Sequence, residues 1–137
     1  MRTKARVLIT DDDAGIRDLL RDQLEAAGFE TKIARDGHEA LDRIASFRPD
    51  AMVLDLSMPG LDGFGVLQSL QDQAIRLPVL VLTARHDASD VRKAVSLGAR
   101  DYLAKPFTEA QLKARIARLL RTPIRPSPTT GGTIFVQ

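Results

Sequence analysis

The chain contains no cysteine and no tryptophan, and aromatic residues make up only 4% of its 137 positions. The absence of cysteine excludes disulfide bonds, thiolate metal sites and cysteine nucleophiles. It fits a reducing compartment, and we expect the protein to be cytoplasmic. The scarcity of aromatic side chains argues against a surface on which nucleic-acid bases stack.

An excess of charge of one sign and long apolar runs are also missing. Twenty lysines and arginines oppose eighteen aspartates and glutamates, which leaves a formal net charge of +2. A nearly neutral domain gives no electrostatic reason to bind nucleic acid directly. No apolar run approaches the roughly 20 residues of a membrane helix, and the basic first residues lead at once into acidic ones, unlike a signal peptide. We therefore expect no contact with nucleic acid or with a membrane.

Short apolar runs alternate with segments of helical periodicity. The apolar runs predict five strands, at residues 6–10, 29–34, 51–54, 78–83 and 101–104. Apolar residues spaced by three and four predict a helix after each strand. This alternation is typical of an α/β fold with a parallel sheet, right-handed crossovers and helices on both faces.

Composition divides the chain into a domain at residues 1–121 and a segment rich in proline, glycine and threonine at residues 122–137. The second segment predicts a linker or tail. Residues 133–136 fit either the first strand of an absent output domain or an expression remnant.

Local patterns refine the elements. The second strand is more polar than the others and is expected near an edge of the sheet. Two segments, Asp36 to Glu39 and Thr108 to Gln111, have the form of a capping box at a helix start. The fourth helix, predicted from Asp87 to Leu97, has few apolar residues, and we expect it to be the least firmly packed.

Four of the predicted strands end in side chains that can bind a cation or an anion. Asp11 and Asp12 follow the first strand, and Asp55 follows the third. Thr83 ends the fourth strand, and Lys105 follows the fifth. The carboxyl ends of parallel strands share one edge of the sheet, where ligands bind in open α/β folds. We therefore expect these five side chains to converge.

The predicted convergence has a chemical consequence. Clustered carboxylates repel one another, and a site made only of oxygen ligands suits Mg²⁺. The hydroxyl of Thr83 and the ammonium of Lys105 suit a phosphoryl group, which needs hydrogen-bond donors and positive charge. In such a site Asp55 is the predicted nucleophile.

The motifs around these residues resemble those of the receiver domain of two-component response regulators. The resemblance covers about residues 5–121 and rests on Asp11-Asp12, Asp55 to Gly60 with Asp62-Gly63, Leu82 to Ala84, Gly98 to Tyr102 and Lys105 to Phe107. Each motif alone is weak, but their order at successive strand ends is highly specific. The resemblance implies a flavodoxin-like (βα)5 fold, similar to the chemotaxis response regulators, with a five-stranded parallel sheet of order 2-1-3-4-5.

The resemblance implies phosphoryl transfer to Asp55, without enzymatic turnover of a separate substrate. The donor would be a phosphohistidine on a sensor histidine kinase or a phosphotransfer protein. The implied Mg²⁺ ligands are three carboxylates and one backbone carbonyl, those of Asp11, Asp12, Asp55 and Ser57. Which of the two adjacent aspartates touches the ion directly stays open. Asp13 is expected to be a helix-terminal acid.

The resemblance also implies a switch. Thr83 and Lys105 would contact the phosphoryl group, and Thr83 and Tyr102 would change position together. The surface made by the fourth helix, fifth strand and fifth helix would then act on an attached or partner effector, such as a transcription factor, and could form a homodimer.

One part of that surface departs from the family pattern. Val91 and Gln111 stand where many relatives with DNA-binding domains have an ion pair, whereas Asp101 and Arg115 match a remaining pair. The usual mode of dimerisation is therefore open.

Two other functions stay open. The chain could be a receiver-like module that binds partners without phosphorylation, although such modules usually lack a key residue. It could also be an Mg²⁺-dependent phosphatase of the haloacid dehalogenase type. That enzyme would have its nucleophile in the first acidic cluster and an acidic pair after Lys105, where only Glu109 follows.

Overall fold

The computed structural model describes residues 4–85 and 87–121. Its strands are β1 (Arg6–Thr10), β2 (Glu30–Ala34), β3 (Ala51–Leu54), β4 (Val79–Thr83) and β5 (Asp101–Ala104). Its helices are α1 (Ala14–Ala26), α2 (Gly37–Phe47), α3 (Gly63–Asp72), α4 (Ala88–Ser96) and α5 (Glu109–Arg121). The predicted tail at residues 122–137 and His86 lie outside the described residues.

The five strands form one parallel sheet of order β2-β1-β3-β4-β5. This confirms the predicted flavodoxin-like topology. The polar strand β2 lies at an edge, as its composition predicted. The central strands β3 and β4 are buried along their whole length, as expected for parallel strands that are covered on both faces.

Side chains from alternate strand positions separate into two cores, one on each face of the sheet. On one face, residues such as Met52 and Val81 pack against α2, α3 and the Ala94 side of α4. On the other, residues such as Val53 and Leu82 pack against α1 and α5. The sheet lies between two helical layers, which leave its carboxyl edge open for a site.

The fourth helix is one residue shorter at each end than predicted, because Asp87 and Leu97 are its caps. Two predicted strand starts were also wrong by one residue, one because of a backbone hydrogen bond and one because a donor is lacking. Strand β2 begins at Glu30 and not at Phe29, since the Phe29 N–H donates to Leu24 O and so completes the end of α1. Strand β4 begins at Val79 and not at Pro78. Proline has no N–H to donate to the strand ladder, although its carbonyl accepts from Met52.

The helix starts confirm one predicted capping box in full and the other in part. Thr108 and Gln111 exchange reciprocal hydrogen bonds of 3.0 and 2.9 Å at the start of α5. Asp36 caps α2 by accepting from the Glu39 N–H at 2.8 Å, but the Glu39 carboxylate accepts from the Arg35 N–H and not from that of Asp36. Asp13 caps α1. In α4 only Ala94 is buried, which confirms that this helix is lightly packed.

None of the described helices is long and apolar enough to span a membrane.

Candidate functional site

Three carboxylates meet at the carboxyl edge of the sheet, as predicted. Asp11, Asp12 and Asp55 each offer a carboxylate oxygen, and these oxygens lie within 4.8 Å of one another. Asp11 and Asp55 are buried, whereas Asp12 is exposed. Their backbones extend the strand ladder, since the Asp11 N–H donates to Ala34 O and the Asp55 N–H donates to Thr10 O.

Lys105 supplies the positive charge of the site. Its Nζ lies 2.8 Å from Asp11 Oδ2 and 3.5 Å from Asp55 Oδ2. The Lys105 N–H donates to the Thr83 carbonyl and so continues the ladder from β5; the Lys105–Pro106 peptide bond is cis. The sheet therefore brings residues 94 positions apart in sequence into hydrogen-bond contact.

The cluster contains more carboxylates than ammonium groups. Burial raises the pKa of the Asp11 carboxyl, against the opposing hydrogen bond from Lys105. Burial acts to lower the pKa of Lys105, but the hydrogen bond to Asp11 and the charges of Asp11 and Asp55 outweigh it and raise that pKa. The ammonium is thus kept charged, yet it faces two carboxylates and the carboxylate of Asp12 lies beside them. Such a pocket favours a further cation.

Thr83 and Tyr102 lie near the cluster without joining it. Thr83 is buried at the end of β4, and its Oγ1 accepts from the Arg85 N–H at 3.2 Å. Tyr102 packs against the core on the α4 side, and among the described residues its buried hydroxyl has no hydrogen-bond partner. Burial raises the pKa of that phenol.

The loop after β3 carries Asp55 and Ser57. The Ser57 N–H donates to Asp55 Oδ1 at 3.3 Å, so Ser57 lies directly beside the cluster. Met58 is buried in the core. The Gly63 N–H donates to Leu56 O, and a methyl group on Gly63 would overlap the Asp55 carbonyl oxygen. A glycine at position 63 is therefore required for the loop to close onto the acceptor strand.

A family model for the response regulator receiver domain matches residues 7–117. The chain belongs to this family. Among curated relatives, the response regulator MprA of Mycolicibacterium vanbaalenii is 48% identical over 126 residues, which are 92% of this chain and 53% of the relative. MprA of Mycobacterium avium is 49% identical over 116 residues, 85% of this chain and 51% of the relative. The receiver domain thus spans about half the length of these proteins.

Solved structures show the same fold. The chemotaxis protein CheY4 of Vibrio cholerae superposes with a TM-score of 0.81 and 32% identity, covering 86% of this chain and 100% of the other. The receiver domain of the Francisella response regulator 1452 superposes with a TM-score of 0.82 and 36% identity, covering 86% of this chain and 98% of the other.

The donor set of this receiver domain fits the Mg²⁺ that the family binds in an acidic pocket. Asp11, Asp12 and Asp55 offer only oxygen ligands, which hard cations prefer, and their negative charge exceeds that of the one ammonium beside them.

Two arginines near the site make contacts that were not predicted. Arg17 Nη1 donates to the Asp11 carbonyl oxygen at 2.8 Å. Helical side chains point toward the helix N-terminus. The place of Arg17 in the second turn of α1 could therefore have indicated that its side chain reaches the residues before the helix. Arg85 pairs with Asp90 at 3.1 Å and lies over the ring of Phe64. No sequence pattern indicates that contact between loop and helices.

Proposed function

We propose that this receiver domain is a phosphorylation-activated switch in which Asp55 accepts the phosphoryl group. One observation carries the proposal. Asp55 is buried at the carboxyl end of β3, within 4.8 Å of the carboxylates of Asp11 and Asp12 and 3.5 Å from the ammonium of Lys105. A carboxylate in that position has both a cation site and a fixed positive charge to receive an incoming phosphoryl group.

The proposed donor is a phosphohistidine of a sensor histidine kinase or a phosphotransfer protein. A carboxylate oxygen of Asp55 attacks the phosphorus, an acyl phosphate forms, and the phosphorus–nitrogen bond breaks with its electron pair passing to the imidazole. Mg²⁺ held by Asp11, Asp12, Asp55 and the Ser57 carbonyl would neutralise charge on the phosphoryl oxygens. Lys105, which Asp11 holds in place, neutralises charge on another oxygen. The protein promotes only its own phosphorylation and dephosphorylation.

The switch begins at Thr83. Its hydroxyl accepts from the Arg85 N–H and still has a proton to donate, which a phosphoryl oxygen on Asp55 would accept. Movement of Thr83 toward that oxygen opens space near β5, where the buried hydroxyl of Tyr102 lacks a partner among the described residues. The phosphoryl group thereby shifts the population between two conformations.

The proposed output face consists of α4, β5 and α5. Support comes from the light packing of α4, in which Val95 is 55% exposed, because a helix with few buried contacts can change position at small cost. We propose that this face forms a homodimer after phosphorylation. It would regulate an attached or partner effector such as a transcription factor; the MprA relatives extend well beyond the matched region. The proposal includes a cytoplasmic location, in keeping with the absence of cysteine.

The test is the intact mass of the protein after incubation with acetyl phosphate and Mg²⁺, read promptly because acyl phosphates are labile. We expect one phosphoryl adduct on the wild type, none on Asp55→Ala, and none when EDTA is present. Asp62→Asn is the matched control, since Asp62 lies in the same loop and caps α3. It should carry the adduct.

Other outcomes would contradict the proposal. An adduct that persists on Asp55→Ala would place the nucleophile elsewhere and favour the phosphatase. A wild type that stays unmodified with acetyl phosphate and also with a phosphorylated kinase domain would favour a module that binds partners without phosphorylation.

A further inference from the structure

The side chain of Leu61 lies between the first turns of two helices. A methyl group on Gly37, the first residue of α2, would overlap the carbonyl oxygen and the side chain of Leu61. A methyl group on Gly65, in the first turn of α3, would overlap the end of the Leu61 side chain. Leu61 is partly buried and packs against the core on that face of the sheet. The absence of side chains at the two glycines thus creates a socket for this leucine.

The α2 side of the socket leads to Asp11. Two residues separate Gly37 from the end of β2, where the Ala34 carbonyl accepts from the Asp11 N–H at 3.2 Å. The cap residue Asp36 fixes the short segment between Ala34 and the helix. Movement of α2 would therefore shift the backbone of Asp11.

The other side of the socket leads to Asp55. Leu61 belongs to the loop that starts at Asp55 and includes Ser57, and this loop is closed where the Gly63 N–H donates to the Leu56 carbonyl at 3.0 Å. Between these closing residues the loop has two apolar side chains that reach the core, those of Met58 and Leu61. Leu61 contacts the first residue of α2, Gly37.

We propose that Leu61 is a positioning residue that joins the Asp11 half of the acidic cluster to the Asp55 half and so sets the affinity for Mg²⁺. This inference rests on the proposed function, because it assumes that the cluster binds this ion. An ion held by groups from two loops binds more tightly when the loops are already fixed relative to each other, since less conformational freedom is lost on binding. Residues behind the ligands typically change metal affinity by about 10- to 100-fold when they are removed.

The first test compares Leu61→Ala with Leu70→Ala by calorimetric titration of Mg²⁺ into the 137-residue chain. Both changes remove the same atoms from the same core cluster, but Leu70 lies at the far end of α3. We expect Leu61→Ala to weaken Mg²⁺ binding about 10-fold and Leu70→Ala to leave it unchanged. In phosphorylation by acetyl phosphate, Leu61→Ala should raise the Mg²⁺ concentration for half-maximal rate without lowering the rate at saturating Mg²⁺.

A second test uses the socket itself. In Gly65→Ala the new methyl group would overlap the end of the Leu61 side chain, whereas its distance of 3.6 Å from Asp62 Oδ1 is an ordinary contact, so we expect the change to weaken Mg²⁺ binding by displacing Leu61. In the double variant with Leu61→Ala the new methyl group occupies part of the space that the leucine leaves. The factor by which the double variant loses affinity for Mg²⁺ should therefore be smaller than the product of the factors for the two single variants. If Leu61→Ala does not fold, the affinity of Gly65→Ala for Mg²⁺ tests the inference by itself.

The outcomes separate this inference from the proposed function. If the wild type does not bind Mg²⁺, the proposed function itself is contradicted. If the wild type binds Mg²⁺ and Leu61→Ala binds it equally well, or the losses in the double variant multiply, Leu61 has a structural role only and the inference is overturned.

Discussion

The hydroxyl of Tyr102 is buried and has no hydrogen-bond partner among the described residues. A buried polar group without a partner loses its hydration and gains nothing in return, at a cost of about 1–3 kcal/mol. We therefore expect Tyr102→Phe to raise the free energy of unfolding of the unphosphorylated protein by about 1 kcal/mol. Urea denaturation followed by circular dichroism measures this change.

Tyr102→Ala is the control, because it removes the ring as well as the hydroxyl. The ring packs against the core on the α4 side, so this variant should be less stable than the wild type. A decrease in stability for Tyr102→Phe would mean that the hydroxyl has a partner in solution, and the argument from an unsatisfied group would be wrong.

Single residues differ in how far sequence indicates their place. Asp11, Asp55 and Lys105 were predicted to converge because each follows an apolar strand, and parallel strands end at one edge. Leu61 was not predicted to matter. Its contacts with Gly37 and Gly65 depend on how closely two helices and a loop approach one another. No local pattern in the sequence predicts that distance of approach.

At the scale of elements, the carboxylate of Glu39 holds the start of α2 together with the cap residue Asp36. Glu39 accepts hydrogen bonds from the Arg35 backbone N–H at 2.7 Å and from the Arg35 side chain at 3.2 Å. These hydrogen bonds, the backbone one first, hold the pKa of Glu39 below its ordinary value of 4.5. The stability that the charged form contributes is therefore complete above that pH and is lost as the pH falls through the lowered pKa.

We expect Glu39→Gln to reduce the free energy of unfolding by about 0.5–1 kcal/mol at neutral pH. The difference from the wild type should shrink as the pH falls below 4.5, because glutamine does not titrate. Denaturation curves across this range measure it. As a control, Asp18→Asn changes an exposed pair on α1 and should alter stability by no more than about 0.5 kcal/mol. A difference that is independent of pH would show that the charge of Glu39 is not what stabilises α2.

The elements themselves were predicted almost completely, since apolar period and capping residues are local properties of the sequence. Errors arose where a hydrogen bond or its absence moved an end by one residue. The Phe29 N–H belongs to the end of α1, and Pro78 has no N–H to give to β4.

At the scale of the whole molecule, the charges of the output face are not self-complementary. With Arg100, which directly precedes β5, its elements carry seven cations and three acids: Arg92, Lys93, Arg100, Lys113, Arg115, Arg118 and Arg121 against Asp90, Asp101 and Glu109. All three acids already pair within the chain: Asp90 with Arg85 at 3.1 Å, Glu109 with Lys113 at 2.7 Å, and Asp101 with Arg115 at 2.8 Å and Arg118 at 2.7 Å. Val91 and Gln111 add no charge. Two copies of this face would therefore repel electrostatically and attract through apolar contact, above all at the exposed Val95.

This balance predicts an unusual salt dependence for the proposed dimer. Raising the ionic strength shortens the screening length from about 10 Å at 0.1 M to about 3 Å at 1 M, which weakens the repulsion and leaves the apolar contact. We expect the phosphorylated chain to dimerise more strongly as salt rises, as measured by sedimentation velocity with acetyl phosphate and Mg²⁺ present. Val95→Asn should weaken the dimer, whereas Leu19→Asn, at an exposed leucine on α1, should not. A dimer that dissociates at high salt would instead be held by ion pairs between copies, and one insensitive to Val95→Asn would lie on another face.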